Sequence, residues 1–283
     1  MSDMRTIRKV ITGTRTSDGA GVRLVRVFGY HDTKEFDPFL MLDAFDSTNP
    51  DDYVKGFPWH PHRGIETITY LIKGRIEHGD SLGNKGEILD GCCQWMTAGS
   101  GIIHQEMPKP SERMLGVQLW LNLSAKNKMT APEYNDITED KVPVIEDGDC
   151  TLRVIAGNFK GRPGAFEGRF IKPLFFDAEL KPGREWSFDC DAESNLFVYI
   201  IEGAGRFAAE SGELIPEKHA VLFNKGKTFH VKASDNGVRF LLLSAKQLKE
   251  PVAWGGPIVM NTKEELELAF KELNENKFIK YPH

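Results

Sequence analysis

The chain has 283 residues, of which 36 are basic and 41 acidic, so its formal net charge is −5. Hydrophobic residues make up 40% and charged residues 27%, which is the balance of a soluble globular protein and excludes a disordered one. No dense Lys/Arg run is present, so direct binding to nucleic acid is not expected. The first ten residues contain no apolar signal segment, and no apolar run is long enough to span a bilayer, so membrane association is not expected.

The four cysteines are Cys92, Cys93, Cys150 and Cys190. Neither their number nor their spacing indicates a disulfide framework in a chain of this length. A reducing compartment is therefore expected. The cytoplasm is the default prediction, and the nucleus stays open for a eukaryotic protein.

Short apolar or alternating segments follow one another along most of the chain, each bounded by Gly, Pro, Asn or Asp. Many closely spaced short strands separated by turn residues indicate an all-β sandwich or barrel. The segments predicted as strands are 22–28, 65–72, 94–96, 115–123, 196–201, 220–223 and 238–244.

One segment near the C-terminus has helical periodicity. Thr262 and Glu265 have the spacing of a capping box, in which each side chain accepts a hydrogen bond from the other residue's backbone N–H. Apolar residues then recur three and four positions apart, at Leu266, Ala269, Phe270 and Leu273. The sequence therefore predicts a short amphipathic helix.

The stretch from about residue 125 to residue 149 is polar and irregular, with prolines and a cluster of acidic residues. Such composition is typical of a boundary between domains. We therefore expect one β-barrel over residues 1–135 and a second barrel, with the helix, over residues 145–283.

An internal repeat supports two barrels of one kind. Residues 60–74 align without gaps on residues 189–203, with Tyr70 on Tyr199. The first copy has two histidines and a glutamate where the second has two aspartates and an asparagine: His60, His62 and Glu66 against Asp189, Asp191 and Asn195. The chemistry is therefore expected in the first half.

Two pairs of candidate metal ligands have strand spacing. Residues two apart on a strand point to the same face, so His60 and His62 can direct both imidazoles to one point. His104 and Glu106 can do the same from a later strand. Three imidazoles and one carboxylate suit iron(II), manganese, nickel, copper or zinc. An octahedral ion with these four ligands would keep two positions for water, substrate or dioxygen.

The second half lacks such a set. His230 lies near the place equivalent to His104 but stands alone, and a lone histidine is interpreted as structural because metal affinity depends on the number of ligands. Asp189 and Asp191 have no further converging partner in the sequence. The second barrel is therefore expected to be metal-free.

Parts of the first half resemble the two signatures of the cupin superfamily. The pair His60-x-His62 is followed by Glu66 and Gly74, as in the first signature. The glycine-rich segment that ends at His104 resembles the second, although it has a threonine where proline is usual and extra residues before the histidine. In many cupins the glutamate at the place of Glu66 ligates the metal.

Longer stretches resemble the pirin family over nearly the whole chain: HPHRGIETITYLIKG, QWMTAGSGIIHQEMP, GVQLWLNL, FDPFLMLDAF and GPIVMNT. The resemblance implies two tandem cupin barrels (double-stranded β-helix, or jelly-roll) with a short C-terminal helix. It also implies one metal ion, usually iron, in the N-terminal barrel, with the ligands His60, His62, His104 and Glu106. Glu66 would then lie beside the ligands, on their face, and orient a ligand or a bound water.

The same resemblance implies a dioxygenase of the quercetin 2,3-dioxygenase type, with a flavonol-like substrate and dioxygen. Glu106 or Glu66 would be the catalytic base that accepts the substrate's hydroxyl proton. Pirin-like proteins are also implicated as partners of other proteins. The alternative is therefore a regulatory protein that binds a protein partner according to the metal or its redox state.

Three residues near these motifs allow two interpretations each. Arg63 could meet an anionic substrate or partner, or form an ordinary salt bridge. Gln118 and Trp120 share one strand face, and either could line the cavity or pack the barrel.

Overall fold

The computed structural model describes residues 3–208 and 212–281. Strands dominate these residues, which confirms the predicted all-β fold class. The α-helices of the described residues are α1 (Thr33–Phe36) and α2 (Lys263–Asn274). No helix in the described part of the chain is both long and apolar enough to cross a membrane.

The strands up to the middle of the chain are β1 (Ile7–Thr12), β2 (Thr14–Asp18), β3 (Val22–Phe28), β4 (Phe39–Ser47), β5 (Phe57–His62), β6 (Ile65–Lys73), β7 (Ile76–Asp80), β8 (Lys85–Ile88), β9 (Cys93–Thr97), β10 (Ile102–Pro108), β11 (Met114–Asn122) and β12 (Glu133–Ile137). Those that follow are β13 (Val144–Asp147), β14 (Cys150–Ala156), β15 (Asn158–Phe159), β16 (Arg162–Pro163), β17 (Leu174–Leu180), β18 (Glu185–Asp189), β19 (Asn195–Phe207), β20 (Ile215–Pro216), β21 (His219–Phe223), β22 (Thr228–Ala245), β23 (Ala253–Gly255) and β24 (Ile258–Met260). Each segment predicted as a strand overlaps one of these.

The described chain forms two compact units, and neither is continuous in sequence. One, here called the histidine unit, comprises Thr14–Glu139 and residues 248–281. The other, here called the aromatic unit, comprises residues 3–13 and Asp140–Gln247. This division differs from the predicted domains, 1–135 and 145–283, because each end of the chain belongs to the unit formed mainly by the other half.

The histidine unit is built on two antiparallel sheets. Seven strands have the order β12-β9-β6-β11-β4-β3-β2, and four have the order β5-β10-β7-β8. Apolar side chains of both sheets pack together, as Leu71 of β6 does with Ile76 of β7 and Ile88 of β8. Two such sheets around one core are typical of a jelly roll.

The end of the chain completes the histidine unit. The hairpin of β23 and β24 contributes Ile258 and Met260 to an apolar cluster that also contains Ala269 of α2 and Phe278. The predicted capping box is confirmed, with both hydrogen bonds between Thr262 and Glu265 at 3.1 Å. These contacts explain why the C-terminal helix does not belong to the second barrel.

The aromatic unit is built on one nine-stranded sheet with the main order β1-β21-β19-β22-β17-β14-β13. Strand β1 pairs with β21, with Ile7 opposite Phe223, so the start of the chain is an edge strand here. The core of this unit is filled by rings that lie in mutual contact: Phe159, Phe176, Trp186, Phe188, Phe207, Phe223, Phe229 and Phe240.

Candidate metal centre

Three histidines converge where β5 and β10 pair. The strands are antiparallel, with His104 opposite His60 and Ile102 opposite His62. The ring centroids of the histidines are 4.4–5.0 Å apart. Each ring offers one nitrogen, and these three atoms lie within 4.8 Å of one another. The convergence expected from the strand spacing is therefore confirmed for His60, His62 and His104.

Backbone carbonyls set the tautomers of two of these rings. Nδ1 of His60 lies 2.9 Å from the oxygen of Pro58, and Nδ1 of His62 lies 3.0 Å from the oxygen of Pro257. A carbonyl can only accept, so each Nδ1 carries a proton, and in the neutral ring Nε2 then presents a lone pair. The two Nε2 atoms are 3.0 Å apart, and lone pairs this close repel unless a cation lies between them. The arrangement fits a bound metal ion.

His104 supports the same conclusion. It is fully buried, and neither ring nitrogen has a hydrogen-bond partner among the described residues. Buried polar atoms are almost always paired, so an unpaired imidazole indicates a missing partner. Burial lowers the pKa of His104 well below its ordinary value and lowers that of His62 to about 3. Neutral imidazoles are the form that binds metal.

Glu106 lies on the same face of β10 as His104, because buried and half-buried residues alternate along this strand. The hydroxyl of Thr69 donates a 2.7 Å hydrogen bond to its Oε1, and Nε2 of Gln118 lies 3.5 Å from its Oε2. The carboxylate is not part of the group of mutually close donor atoms that the three histidines form. It is held instead by side chains of the facing sheet.

Glu66 does not lie on this face. Strand β6 pairs with β9 in unbroken register from Glu66 to Tyr70, so its side chains alternate between the two faces. Thr69 points to Glu106, so Glu66 points to the opposite face, where Thr97 donates a 2.7 Å hydrogen bond to its Oε1. The expectation that Glu66 orients a ligand or acts as a base at the metal is therefore wrong. Burial raises the pKa of its carboxyl group to about 7.

A buried polar group beside His104 was not among the predicted site residues. The ring centroid of His78 lies 5.6 Å from that of His104, and its Nε2 lies 3.3 Å from Oδ2 of Asp80. Nε2 of Gln94 lies 2.7 Å from the other ring nitrogen, and Tyr134 stacks on the ring at 4.7 Å. The sequence contains a signal for this group, because His78 and Asp80 have the same two-residue strand spacing as the pairs of predicted ligands.

Gln118 and Trp120 both lie against the site, which resolves the alternatives left open for them. Oε1 of Gln118 is 2.5 Å from the hydroxyl of Thr69, and the rings of Trp120 and His62 are nearly perpendicular at a centroid distance of 5.0 Å. Trp254 of β23 lies 5.6 Å beyond Trp120. Aromatic rings therefore form one wall of the centre.

Among the described residues, the group of three potential metal ligands lies in the histidine unit. The described residues of the aromatic unit contain no group of this kind. Asp189 and Asp191 each form an exposed ion pair with a lysine. His230 lies 3.6 Å from a carboxylate oxygen of Glu185.

A jelly roll that directs three histidines to one point, in a chain with a second all-β unit, defines a two-domain cupin. The chain belongs to the pirin family. The family model described as Pirin matches residues 21–121, and the model described as the Pirin C-terminal cupin domain matches residues 175–279. The resemblance noted in the sequence motifs is thereby confirmed.

Individual relatives match over almost their whole length. A pirin-like protein of Caulobacter vibrioides is 42% identical over 278 residues, which cover 97% of this chain and 99% of that protein. A Pseudomonas aeruginosa protein, provisionally named a quercetin 2,3-dioxygenase, is 43% identical over 282 residues, covering 97% and 98%. The crystal structure of a quercetin 2,3-dioxygenase from Acinetobacter baumannii has a TM-score of 0.89 at 31% identity, covering 97% and 98%.

Proposed function

We propose that the protein is a metal-dependent dioxygenase of the quercetin 2,3-dioxygenase type, which opens the ring of a flavonol-like substrate with dioxygen. The observation that carries this proposal is the convergence of three imidazole nitrogens within 4.8 Å, with two lone pairs facing each other at 3.0 Å. The names of the P. aeruginosa and A. baumannii proteins support the same activity.

The proposed cofactor is one Fe(II) ion held by His60, His62, His104 and Glu106. Manganese, nickel, copper and zinc accept the same donor types, so the choice of iron rests on the family and not on the donors. When bound, the ion supplies Lewis acidity, which lowers the pKa of a substrate hydroxyl group, and open positions for substrate and dioxygen.

The chain's own side chains have separate tasks in this proposal. The imidazoles of His62 and His104 are held neutral by burial and offer their lone pairs without losing a proton. Glu106, fixed by Thr69 and Gln118, completes the donor set with one oxygen and accepts the substrate hydroxyl proton at the other. Trp120 offers an apolar face against which a flat aromatic substrate can pack.

We further propose that the aromatic unit binds no transition metal. Rings fill its core, including Phe188 and Phe229, which flank the positions equivalent to the ligands. One metal ion per chain is therefore the expected stoichiometry.

The test is oxygen uptake and carbon monoxide release by the metal-loaded protein with quercetin. Glu106→Gln removes the charge and basicity of this side chain while keeping its size, and is compared at matched metal occupancy. Turnover is expected to fall on the order of a hundredfold if the carboxylate is the base. Equal turnover would remove Glu106 from the mechanism but keep the enzyme.

The experiment also addresses the regulatory alternative. If the fully loaded wild-type protein consumes no oxygen with several metals and several flavonols, the dioxygenase proposal fails. Metal-dependent capture of a protein partner would then be the function to pursue.

A further inference from the structure

We propose that residues 248–281, here called the C-terminal segment, are a positioning element for the metal centre, so that metal binding and docking of this segment strengthen each other. The inference rests on the metal centre proposed above, and it does not depend on dioxygenase activity.

The first contact is between the segment and a ligand. Nδ1 of His62 donates to the carbonyl oxygen of Pro257 at 3.0 Å, across 195 residues of sequence. A hydrogen bond at Nδ1 fixes the ring's orientation and leaves Nε2 unprotonated for the metal. Nδ1 of His60 donates the corresponding bond to the oxygen of Pro58, only two residues away. The orientation of His62 therefore depends on the C-terminal segment, whereas that of His60 is local.

The second contact is between backbones next to His62. Val259 N–H donates to the oxygen of Arg63 at 3.0 Å. The ammonium group of Lys128 lies 2.9 Å from the oxygens of both Gly64 and Val259. A Cβ added at Gly64, where φ is +79°, would lie 1.9 Å from the oxygen of Val259. Only glycine allows this approach, so the segment is seated directly on the turn that follows His62.

The third contact is the side chain of Arg63, which is only 2% exposed. Its Nη1 donates to Oε2 of Glu272 and its Nη2 to the oxygen of Phe278, each at 2.8 Å. Nε donates to the oxygen of Ser100 at 2.7 Å, and the guanidinium group lies 4.2 Å from the ring centroid of Phe278. The guanidinium group is buried and bonded within the chain, so this arginine fastens the segment. Undocking would break the ion pair with Glu272, the hydrogen bond to Phe278 and the contact with its ring together.

These contacts couple two equilibria. The docked segment keeps His62 ready for metal, so a chain with the segment released must first reorient that ring and place its proton on Nδ1 and not on Nε2. Thermodynamic linkage is reciprocal: a segment that raises metal affinity tenfold is itself docked tenfold more strongly when metal is bound.

Linkage can be measured in the wild-type protein with zinc(II), a diamagnetic probe suited to imidazole ligands. Hydrogen exchange of the Val259 amide is followed by NMR in the metal-free and zinc-saturated protein. The amide of Leu119 in β11 serves as reference, because faster exchange at Val259 than at Leu119 in the metal-free protein shows that the segment opens without unfolding of the whole unit. We expect zinc to slow this local exchange at Val259 at least about tenfold, since outer contacts of a ligand change metal affinity by about 10–100-fold. Unchanged exchange at Val259 on zinc binding, or exchange there no faster than at Leu119 in the metal-free protein, would overturn the coupling.

A matched pair of variants tests the contact between Arg63 and the C-terminal segment. Glu272→Gln removes the charge that faces Arg63, and Lys280→Gln removes the more exposed lysine on the other oxygen of Glu272, at 2.8 Å. Zinc affinity by chelator competition is expected to fall about tenfold in Glu272→Gln and to stay unchanged in Lys280→Gln. ¹⁵N spectra of the metal-free variant should also show loss of the fixed Nδ1–H tautomer of His62.

The outcomes of this second experiment are distinct. Unchanged zinc affinity in Glu272→Gln, whether or not exchange at Val259 is faster, would overturn the proposal. A wild-type chain that binds no zinc would overturn the metal centre itself and this inference with it. Absence of oxygen uptake with flavonols would leave the coupling standing, because none of these measurements uses turnover.

Discussion

The hydroxyl group of Thr69 donates a 2.7 Å hydrogen bond to Oε1 of Glu106, joining the seven-stranded sheet to the strand that carries His104. Both residues are buried, with 2% and 5% exposure. The bond fixes the rotamer of the one carboxylate proposed to ligate the metal. The orientation of the fourth ligand therefore depends on a neutral side chain of another strand.

Thr69→Val removes this hydroxyl and keeps the shape of the side chain. Glu106 then loses its closest donor, and we expect metal affinity to fall by about tenfold while the fold is retained. Affinity is measured by chelator competition, with Thr67→Val, the same change on the same face of β6, as the control. Equal affinity in the two variants would show that the bond does not matter for metal binding.

His62→Ala removes one converging imidazole. We expect bound metal to fall more than about tenfold, because affinity depends on ligand number and geometry. Elemental analysis of the purified variant gives the occupancy, and His230→Ala in the aromatic unit should leave it at one ion per chain. Full occupancy in His62→Ala would contradict the proposed ligand set.

The raised pKa of the Glu66 carboxyl group predicts that the stability of the protein depends on pH. Its carboxyl group has a pKa of about 7 when folded, raised from 4.5 by burial, so the folded state binds the proton more tightly than the unfolded state. This tighter proton binding adds to the free energy of unfolding, and the addition is complete below pH 4.5. It is lost as the pH rises through 7, which lowers the free energy of unfolding by about 3 kcal/mol. Glu66→Gln should remove it, which is checked by urea unfolding of metal-free protein at pH 5 and pH 8. An identical decline in both proteins would refute the raised pKa.

A buried ion pair in the aromatic unit gives a prediction about stability alone. Arg239 makes two hydrogen bonds, of 2.9 and 2.7 Å, with the carboxylate of Asp177, whose side chain is fully buried. Asp177→Asn should lower the free energy of unfolding by about 3–5 kcal/mol, because it leaves the arginine partly uncompensated. Glu167→Gln, which breaks an exposed pair with Lys172, should leave the denaturation midpoint unchanged. Similar midpoints for the two variants would count against this account.

The sequence predicted the strands and the histidine cluster because both follow from local spacing. A two-residue period places His60 with His62 on one face whatever the rest of the fold does. The same counting failed for Glu66, four residues after His62. Strand β5 ends at His62, Gly64 turns the chain with φ at +79°, and β6 starts anew at Ile65. A period of two is meaningful only within one strand, and this turn resets it.

The ends of the chain could not be assigned from local patterns. Nothing in the spacing of β1 indicates that it pairs with β21, and nothing in α2 indicates that Glu272 meets Arg63. Both contacts join residues far apart in sequence, so they are decided by tertiary packing. His78 is a different case. Its two-residue spacing with Asp80 is visible in the sequence, but its contact with His104 depends on tertiary packing and could not be predicted.

The exchange of chain ends between the two units has a consequence for synthesis on the ribosome. Strand β1 is made before β21 and has to wait for it. The nascent histidine unit already carries His60, His62, His104 and Glu106 before the carbonyl of Pro257 and the partners of Arg63 are made. A growing chain therefore displays its histidines before it can fix the orientation of His62, and the metal centre cannot be completed until the C-terminal segment has left the ribosome.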